Sequence, residues 1–176
     1  MNSLITLAFL ALSTGESPVQ EPTLTEEQQS DYVTSSFERA QDVGVSKCLE
    51  TVKSLSGVLV DEHAHGSHDM WSTDAPDERV FDSVIVKGYS DTDSHISMTV
   101  VPRDGACDWR YTETYVVEKA CTVIRDDWFG EFGYLGALNE TSLALSSEEN
   151  VNIYLTPVVQ GKMCLVSKRE TYIAEN

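Results

Sequence analysis

The chain has 176 residues, of which 41% are hydrophobic, and it carries a formal net charge of -17 with a sequence pI of about 4.4. This length and hydrophobic fraction fit one globular domain with a core of its own. Binding to a phosphate backbone or to anionic lipid requires clustered Lys and Arg, so the acidic balance argues against nucleic acid as a partner.

The N-terminal residues predict a cleaved export signal followed by a leader. Leu4 to Leu12 form an apolar run that is far shorter than the roughly 20 residues needed to cross a bilayer, and Ala11 and Ser13 supply the small residues of a cleavage site. We therefore interpret residues 1–13 as a signal peptide. The basic residues that usually precede such a run are missing, and a cytosolic chain with an apolar start is the alternative.

Residues 14–30 combine Pro, Glu, Gln, Ser and Thr with few apolar side chains, a composition that predicts a flexible leader. No later stretch is long and apolar enough for a membrane span, so we expect no stable membrane insertion. The remaining residues, 31–174, are interpreted as a single α+β domain.

Two helical segments, or one kinked helix, are predicted at the start of this domain, with Gly44 as the break. Ser46 is a candidate N-cap of the second segment. The apolar and small side chains that recur at helical spacing are Tyr32, Ser36, Phe37, Ala40, Val45, Cys48, Leu49, Val52, Leu55 and Leu59.

Residues 61–71, DEHAHGSHDMW, hold three of the four histidines of the chain. On a strand, His63 and His65 would point to one face about 7 Å apart, and a turn at Gly66 would let His68 complete a site for zinc, copper or nickel. If the preceding helix instead continues through His65, the cluster dissolves. The composition also fits a solvated connection, and we favour that interpretation because x-H-x-H is a weak motif without a second ligand pair.

Three stretches of strand-like sequence follow, at 79–89, 94–102 and 107–117, and the short turns between them predict an antiparallel meander. Residues 151–173 predict a hairpin that turns at Gln160 and Gly161. A short helix with Ile124 and Trp128 on one side is predicted between these blocks, and a strand is the alternative there. The fold class is therefore α+β, with N-terminal helical segments packed on an antiparallel sheet of about five strands and a short helix before the C-terminal hairpin.

Four cysteines in an exported chain favour two disulfides. An extended 107–117 segment would separate Cys107 from Cys121 by tens of ångströms, whereas bridged Cα atoms lie about 5.5 Å apart. Of the two remaining pairings we favour Cys48 with Cys107, which would tie the helix to the sheet, and Cys121 with Cys164, which would tie the short helix to the last strand. Cys48 with Cys121 and Cys107 with Cys164 remains open.

An aromatic row lies on one face of the strand at 107–117, formed by Trp109, Tyr111 and Tyr115 with Glu113 among them. Such a row is usually the core face of a strand, but rigid aromatic rings also anchor binding interfaces. A buried carboxylate is costly unless Arg110, Arg125 or another cation reaches it, so Glu113 favours a partly exposed binding face.

These observations favour a small binding module, either periplasmic or secreted, for a protein or a cell-envelope component. The binding residues would be the aromatic row Trp109, Tyr111, Glu113 and Tyr115. A metal-binding protein that uses His63, His65 and His68 is the first alternative. A hydrolase with a site assembled from distant residues is the second, since the common catalytic motifs are missing.

Overall fold

A computed structural model describes residues 32–149 and 151–174, so the predicted signal peptide and leader lie outside the described residues. Three helices and eight strands follow along this part of the chain. In order they are α1 (Ser35–Asp42), α2 (Leu49–Val60), β1 (His65–Met70), β2 (Phe81–Gly88), β3 (Asp93–Pro102), β4 (Cys107–Val117), α3 (Cys121–Trp128), β5 (Gly133–Ala137), β6 (Leu143–Ser146), β7 (Asn152–Val158) and β8 (Met163–Tyr172). None of these helices is long and apolar enough to cross a membrane.

All eight strands form one antiparallel sheet in the order β1-β2-β3-β4-β8-β7-β6-β5. The meander β1 to β4 makes one half of the sheet. In the second half, β5 forms the outer edge, and β6, β7 and β8 follow toward the centre of the sheet. The last strand, β8, therefore pairs with β4 and joins the two halves. The α+β class, the meander over β2 to β4 and the C-terminal hairpin are as predicted.

The expected number of strands, about five, is wrong. In β1 the side chains that face α1 are polar, since Ser67 accepts a hydrogen bond of 2.9 Å from the Ser35 hydroxyl, and the strand therefore lacks the apolar alternation that predicts one. The other two missed strands, β5 and β6, contain only five and four residues. Such short segments give too little pattern to be distinguished from loops.

The two N-terminal helices form where the spacing predicts them, and Gly44 separates them with a positive φ of 89°. Thr34 caps α1, because its hydroxyl oxygen accepts a hydrogen bond of 3.1 Å from the Phe37 amide. The prediction that Ser46 caps α2 is wrong: the N-cap residue is Cys48, which makes no side-chain cap bond. Ser46 is instead held by Asp77, which accepts bonds from its amide and its hydroxyl.

Two hydrophobic cores lie on the same face of the sheet. The first core packs α1 and α2 against β2, β3 and the start of β4, and its largest fully buried side chains are Val52, Val60, Phe81, Ile85, Ile96, Met98 and Val100. The second packs α3 against β6, β7 and β8 through Ile124, Leu145, Ile153, Leu155 and Val166. Alternate residues of β4 serve both cores, because Tyr111 belongs to the first and Tyr115 and Val117 border the second.

One disulfide fixes the start of a helix to the start of a strand in each half. Cys48 is bonded to Cys107 with Cα atoms 5.9 Å apart, and Cys121 is bonded to Cys164 with Cα atoms 4.8 Å apart. This is the favoured one of the two pairings that the extended length of residues 107–117 leaves open.

Candidate binding site

The three clustered histidines do not meet at one point. His65 lies on the face of β1 that packs against α1, and His68 lies three residues later on the opposite face. Gly66 remains within the strand, so the turn that would have redirected His68 is not formed. His63 precedes the strand and its ring contacts that of Tyr89, with centroids 5.0 Å apart.

The hydrogen bonds of His65 also oppose metal ligation. Its Nε2 atom accepts the Ser35 amide at 3.3 Å, and its Nδ1 atom donates to the His63 carbonyl at 3.0 Å. A metal at Nε2 would have to displace the first of these bonds. Within residues 32–149 and 151–174, no group of three or more His, Cys, Asp or Glu side chains is arranged to hold a metal ion.

Trp109 and Tyr111, the first two members of the aromatic row, are engaged in packing. The Trp109 ring stacks on those of Tyr111 and Tyr172, with centroids 6.4 and 5.7 Å away. Tyr111 is only 5% exposed and donates a hydrogen bond of 3.1 Å to Glu170. Burial, followed by the Glu170 charge, raises the pKa of the Tyr111 phenol well above its usual value. These two rings therefore form a wall of the first core.

Glu113 is buried, which corrects the expectation of a partly exposed carboxylate. Its Oε1 atom lies 3.1 Å from Lys87 Nζ and accepts hydrogen bonds from Ser94 at 2.8 Å and from Tyr89 at 3.0 Å. Lys87 Nζ also donates to the Leu59 carbonyl at 2.8 Å. The cation is thus Lys87 of β2, neither Arg110 nor Arg125. The hydrogen bonds of the two side chains offset much of the free-energy cost of removing both charges from water.

Tyr115, the last member of the row, opens onto a pocket of about 450 Å³ at one end of the sheet. We call this the acidic aromatic pocket. It lies among the β2–β3 turn, the last residues of β4, the end of α3 and the start of β8. Its lining residues are Tyr89, Asp91, Thr92, Tyr115, Val116, Val117, Glu118, Trp128 and Met163.

Three aromatic rings contribute to the pocket. The ring centroids of Tyr89 and Tyr115 are 6.4 Å apart at an interplanar angle of 59°. Trp128 ends α3 and remains 48% exposed, which is unusual for so large an apolar side chain. Burial and the Glu113 charge raise the pKa of Tyr115 to about 12 and that of Tyr89 further still, so both phenols stay neutral at any physiological pH.

The charged side chains that line the pocket are both acidic. Asp91 and Glu118 are exposed at its rim, and neither carboxylate makes an ion pair or hydrogen bond with another residue in the described ranges. Lys119 lies next to Glu118 in sequence but pairs with Asp127, at 3.7 Å. The pocket therefore combines neutral aromatic faces with uncompensated negative charge.

Sequence reasoning found Tyr115 but missed Tyr89 and Trp128. The alternation of β2 already places Tyr89 on the same face as Lys87, since Phe81, Ser83, Ile85 and Lys87 are its buried positions. The spacing predicts that Trp128 lies on the packed side of α3 with Ile124, but of these two side chains only Ile124 is buried. The proximity of the three rings depends on the hairpin register and on how α3 docks, neither of which is a local signal.

No family model, curated protein or solved structure matches this chain. The geometry and charge of the pocket are therefore the basis on which a function can be assigned.

Proposed function

We propose that this chain is a binding module that recognises a positively charged partner through the acidic aromatic pocket. The observation that carries this proposal is one concave site that combines exposed aromatic surface with two carboxylates that have no partner among the described residues. Ligand sites are typically concave and apolar, with a few polar groups that fix the orientation of the ligand. An exposed Trp with neighbouring Tyr rings supplies rigid contact area at a low entropic cost.

The overall charge supports a basic partner. A net charge of -17 repels other anions and attracts cations over long range, so it would speed encounters with a basic surface. The local charge at the pocket has the same sign as the global charge. Steering and docking would therefore favour the same class of partner.

We further propose that the partner is a protein or cell-envelope component outside the reducing cytosol. Two disulfides are consistent with a periplasmic or secreted location, where such bonds persist. The apolar run at the N-terminus supports the same location.

Variants of one aromatic side chain test this function. In a pull-down from extracts of the native compartment, Trp128→Ala should lower the capture of the bound partner by about tenfold or more, as expected for an aromatic anchor. Tyr134→Ala provides the matched control, because Tyr134 is 64% exposed on β5 and does not line the pocket. Equal capture by the wild type and both variants would contradict the proposal.

A further inference from the structure

The acidic aromatic pocket carries a more specific inference, which rests on the proposed function. We infer that the pocket binds an organic ammonium group, which would sit against the rings of Tyr115 and Trp128 beside the carboxylates of Asp91 and Glu118. The ligand class includes quaternary amines and the alkylated amines of side chains.

The ring faces provide the first argument. Aromatic faces attract cations that lie within about 6 Å of the ring centroid. Tyr89 already has such a contact, because Lys87 Nζ lies 4.7 Å from its centroid. Within the described residues, neither Tyr115 nor Trp128 has a cation of the protein over its ring. The rings of Tyr115 and Trp128 thus lack the cation contact that Lys87 makes with Tyr89.

A cation held against the Tyr115 ring would also lie close to the Tyr89 ring, which Lys87 Nζ already contacts at 4.7 Å from its centroid. Their centroids are 6.4 Å apart. A group placed beside the line that joins them can therefore lie about 4.5 Å from each centroid, within the range of cation–π attraction. At an interplanar angle of 59° the two rings are tilted relative to each other and are not stacked.

The charges exclude an anionic ligand and favour a monovalent cation. Lys87 is paired with Glu113, Lys119 lies 3.7 Å from Asp127, and no Lys or Arg is among the lining residues of the pocket. Asp91 and Glu118 are the charged residues that line the pocket. From the rim, their carboxylates can balance the positive charge of an ammonium group whose methyl groups contact the rings. A compact hydrated metal ion would gain little from the aromatic walls, because hard cations prefer oxygen ligands.

Choline and its neutral isostere 3,3-dimethyl-1-butanol are the probes that test this inference. The two molecules share a shape and differ in charge, so their comparison separates cation–π attraction from apolar burial. Two-dimensional NMR of the full chain would follow the Trp128 indole N–H and the rings of Tyr89 and Tyr115 during titration to about 50 mM. We expect choline to shift these signals and the neutral isostere to bind about tenfold more weakly.

Two variants separate the contribution of the aromatic ring from that of the carboxylates. Trp128→Ala should abolish the saturable shifts, whereas Asp91→Asn combined with Glu118→Gln should weaken choline binding by about three- to tenfold at low salt and by less at high salt. Asp104→Asn is the matched charge control, since Asp104 is an exposed carboxylate in the β3–β4 turn, away from the pocket. Far-UV circular dichroism of each variant reports whether the fold is kept.

The source of the ammonium group is distinguished by two further titrations. Binding of phosphatidylcholine vesicles would assign a lipid headgroup, and binding of N-trimethyl-lysine amide without vesicle binding would assign a free amine or a side chain. Equal affinity for choline and its neutral isostere, or no shift with either, would overturn the inference. If neither probe binds while Trp128→Ala still abolishes partner capture, the binding function stands and only the ammonium assignment fails.

Discussion

The two halves of the sheet are held to their helices in different ways. Among the described residues, the core of the first half has 13 buried side chains, contributed by the sheet, by α1 and α2 and by the segment between these helices, which contain eight and twelve residues. The core of the second half has seven, contributed by the sheet and by α3, a helix of eight residues that begins without a side-chain cap. Isolated helices shorter than about 12 residues are marginal in water, so α3 depends on its packing and on the Cys121–Cys164 bond. The pocket lies at the edge of this smaller half.

A buried ion pair separates the two hydrophobic cores. Between the two cores, β4 carries Glu113 instead of an apolar residue, and Lys87 reaches it from β2. This pair places two charges within a face that is otherwise apolar. Removing one partner leaves the other buried without compensation, which is the costliest change available in this region.

The largest effect is expected for Lys87→Met. The substitution leaves Glu113 buried without its cation and should lower the free energy of unfolding by about 3–5 kcal/mol. Urea denaturation followed by fluorescence measures this loss. Lys87→Met combined with Glu113→Leu should recover most of the stability, because apolar replacement of both charges removes the desolvation penalty. A single variant as stable as the wild type would show that the pair contributes nothing.

The two disulfides give the next largest effect and test the difference between the halves directly. Their sequence separations are 59 and 43 residues, so loop closure predicts nearly the same stabilisation, about 4 kcal/mol for each. Cys48→Ala with Cys107→Ala and Cys121→Ala with Cys164→Ala should therefore lose similar global stability. Only the second pair should also release the amides of α3 to fast hydrogen exchange, since α3 has little else to hold it.

Equal protection of α3 with and without its disulfide would contradict this account of the smaller half. The matched comparison is α2 in the Cys48→Ala, Cys107→Ala variant. We expect α2 to keep its protection there, because its buried side chains include Val52, Leu55, Leu59 and Val60.

The smallest effect concerns pH and belongs to the first half. Asp77 accepts hydrogen bonds from the Ser46 hydroxyl and from the Ser46 and Lys47 amides, and these bonds lower the pKa of its carboxyl to about 2. Because the pKa is lower in the folded chain than its ordinary value of about 3.9, the contribution to stability is complete above that value. It is lost as the pH falls through about 2.

Asp77→Asn should therefore melt at a lower temperature than the wild type at pH 7, and the difference should shrink between about pH 4 and pH 2. Thermal melts across this range measure it. Asp74→Asn, in the same loop, is the control for general charge removal. A difference that stays constant down to pH 2 would show that the Asp77 carboxylate is not the source.

Much of the fold follows from local pattern. The spacing of Phe37, Ala40 and Val52 predicts the helices, and short runs of strand-forming residues bounded by turn signals predict β2 and β3. The hairpin turn at Gln160 and Gly161 also forms, with positive φ values of 56° and 82°. β1 escaped prediction because its inward side chains are polar and contact the polar start of α1.

Less of the site was predictable. Tyr115 was singled out from its strand, but its expected companions Trp109 and Tyr111 turn to the first core. Its actual neighbours come from a hairpin end and a helix end, at Tyr89 and Trp128. The buried cation of Glu113 was likewise unpredictable, since several Lys and Arg residues were equally plausible partners by sequence.

The sequence by itself determined the α+β class, the acidity, the helices and most of the strands, because periodicity and composition act between residues that are near one another along the chain. Only the tertiary structure decided which half of the sheet each element joins, which charges are paired and which rings share a pocket. Those outcomes depend on antiparallel register across β2, β3, β4 and β8, and register is set by contacts among residues that are far apart in sequence.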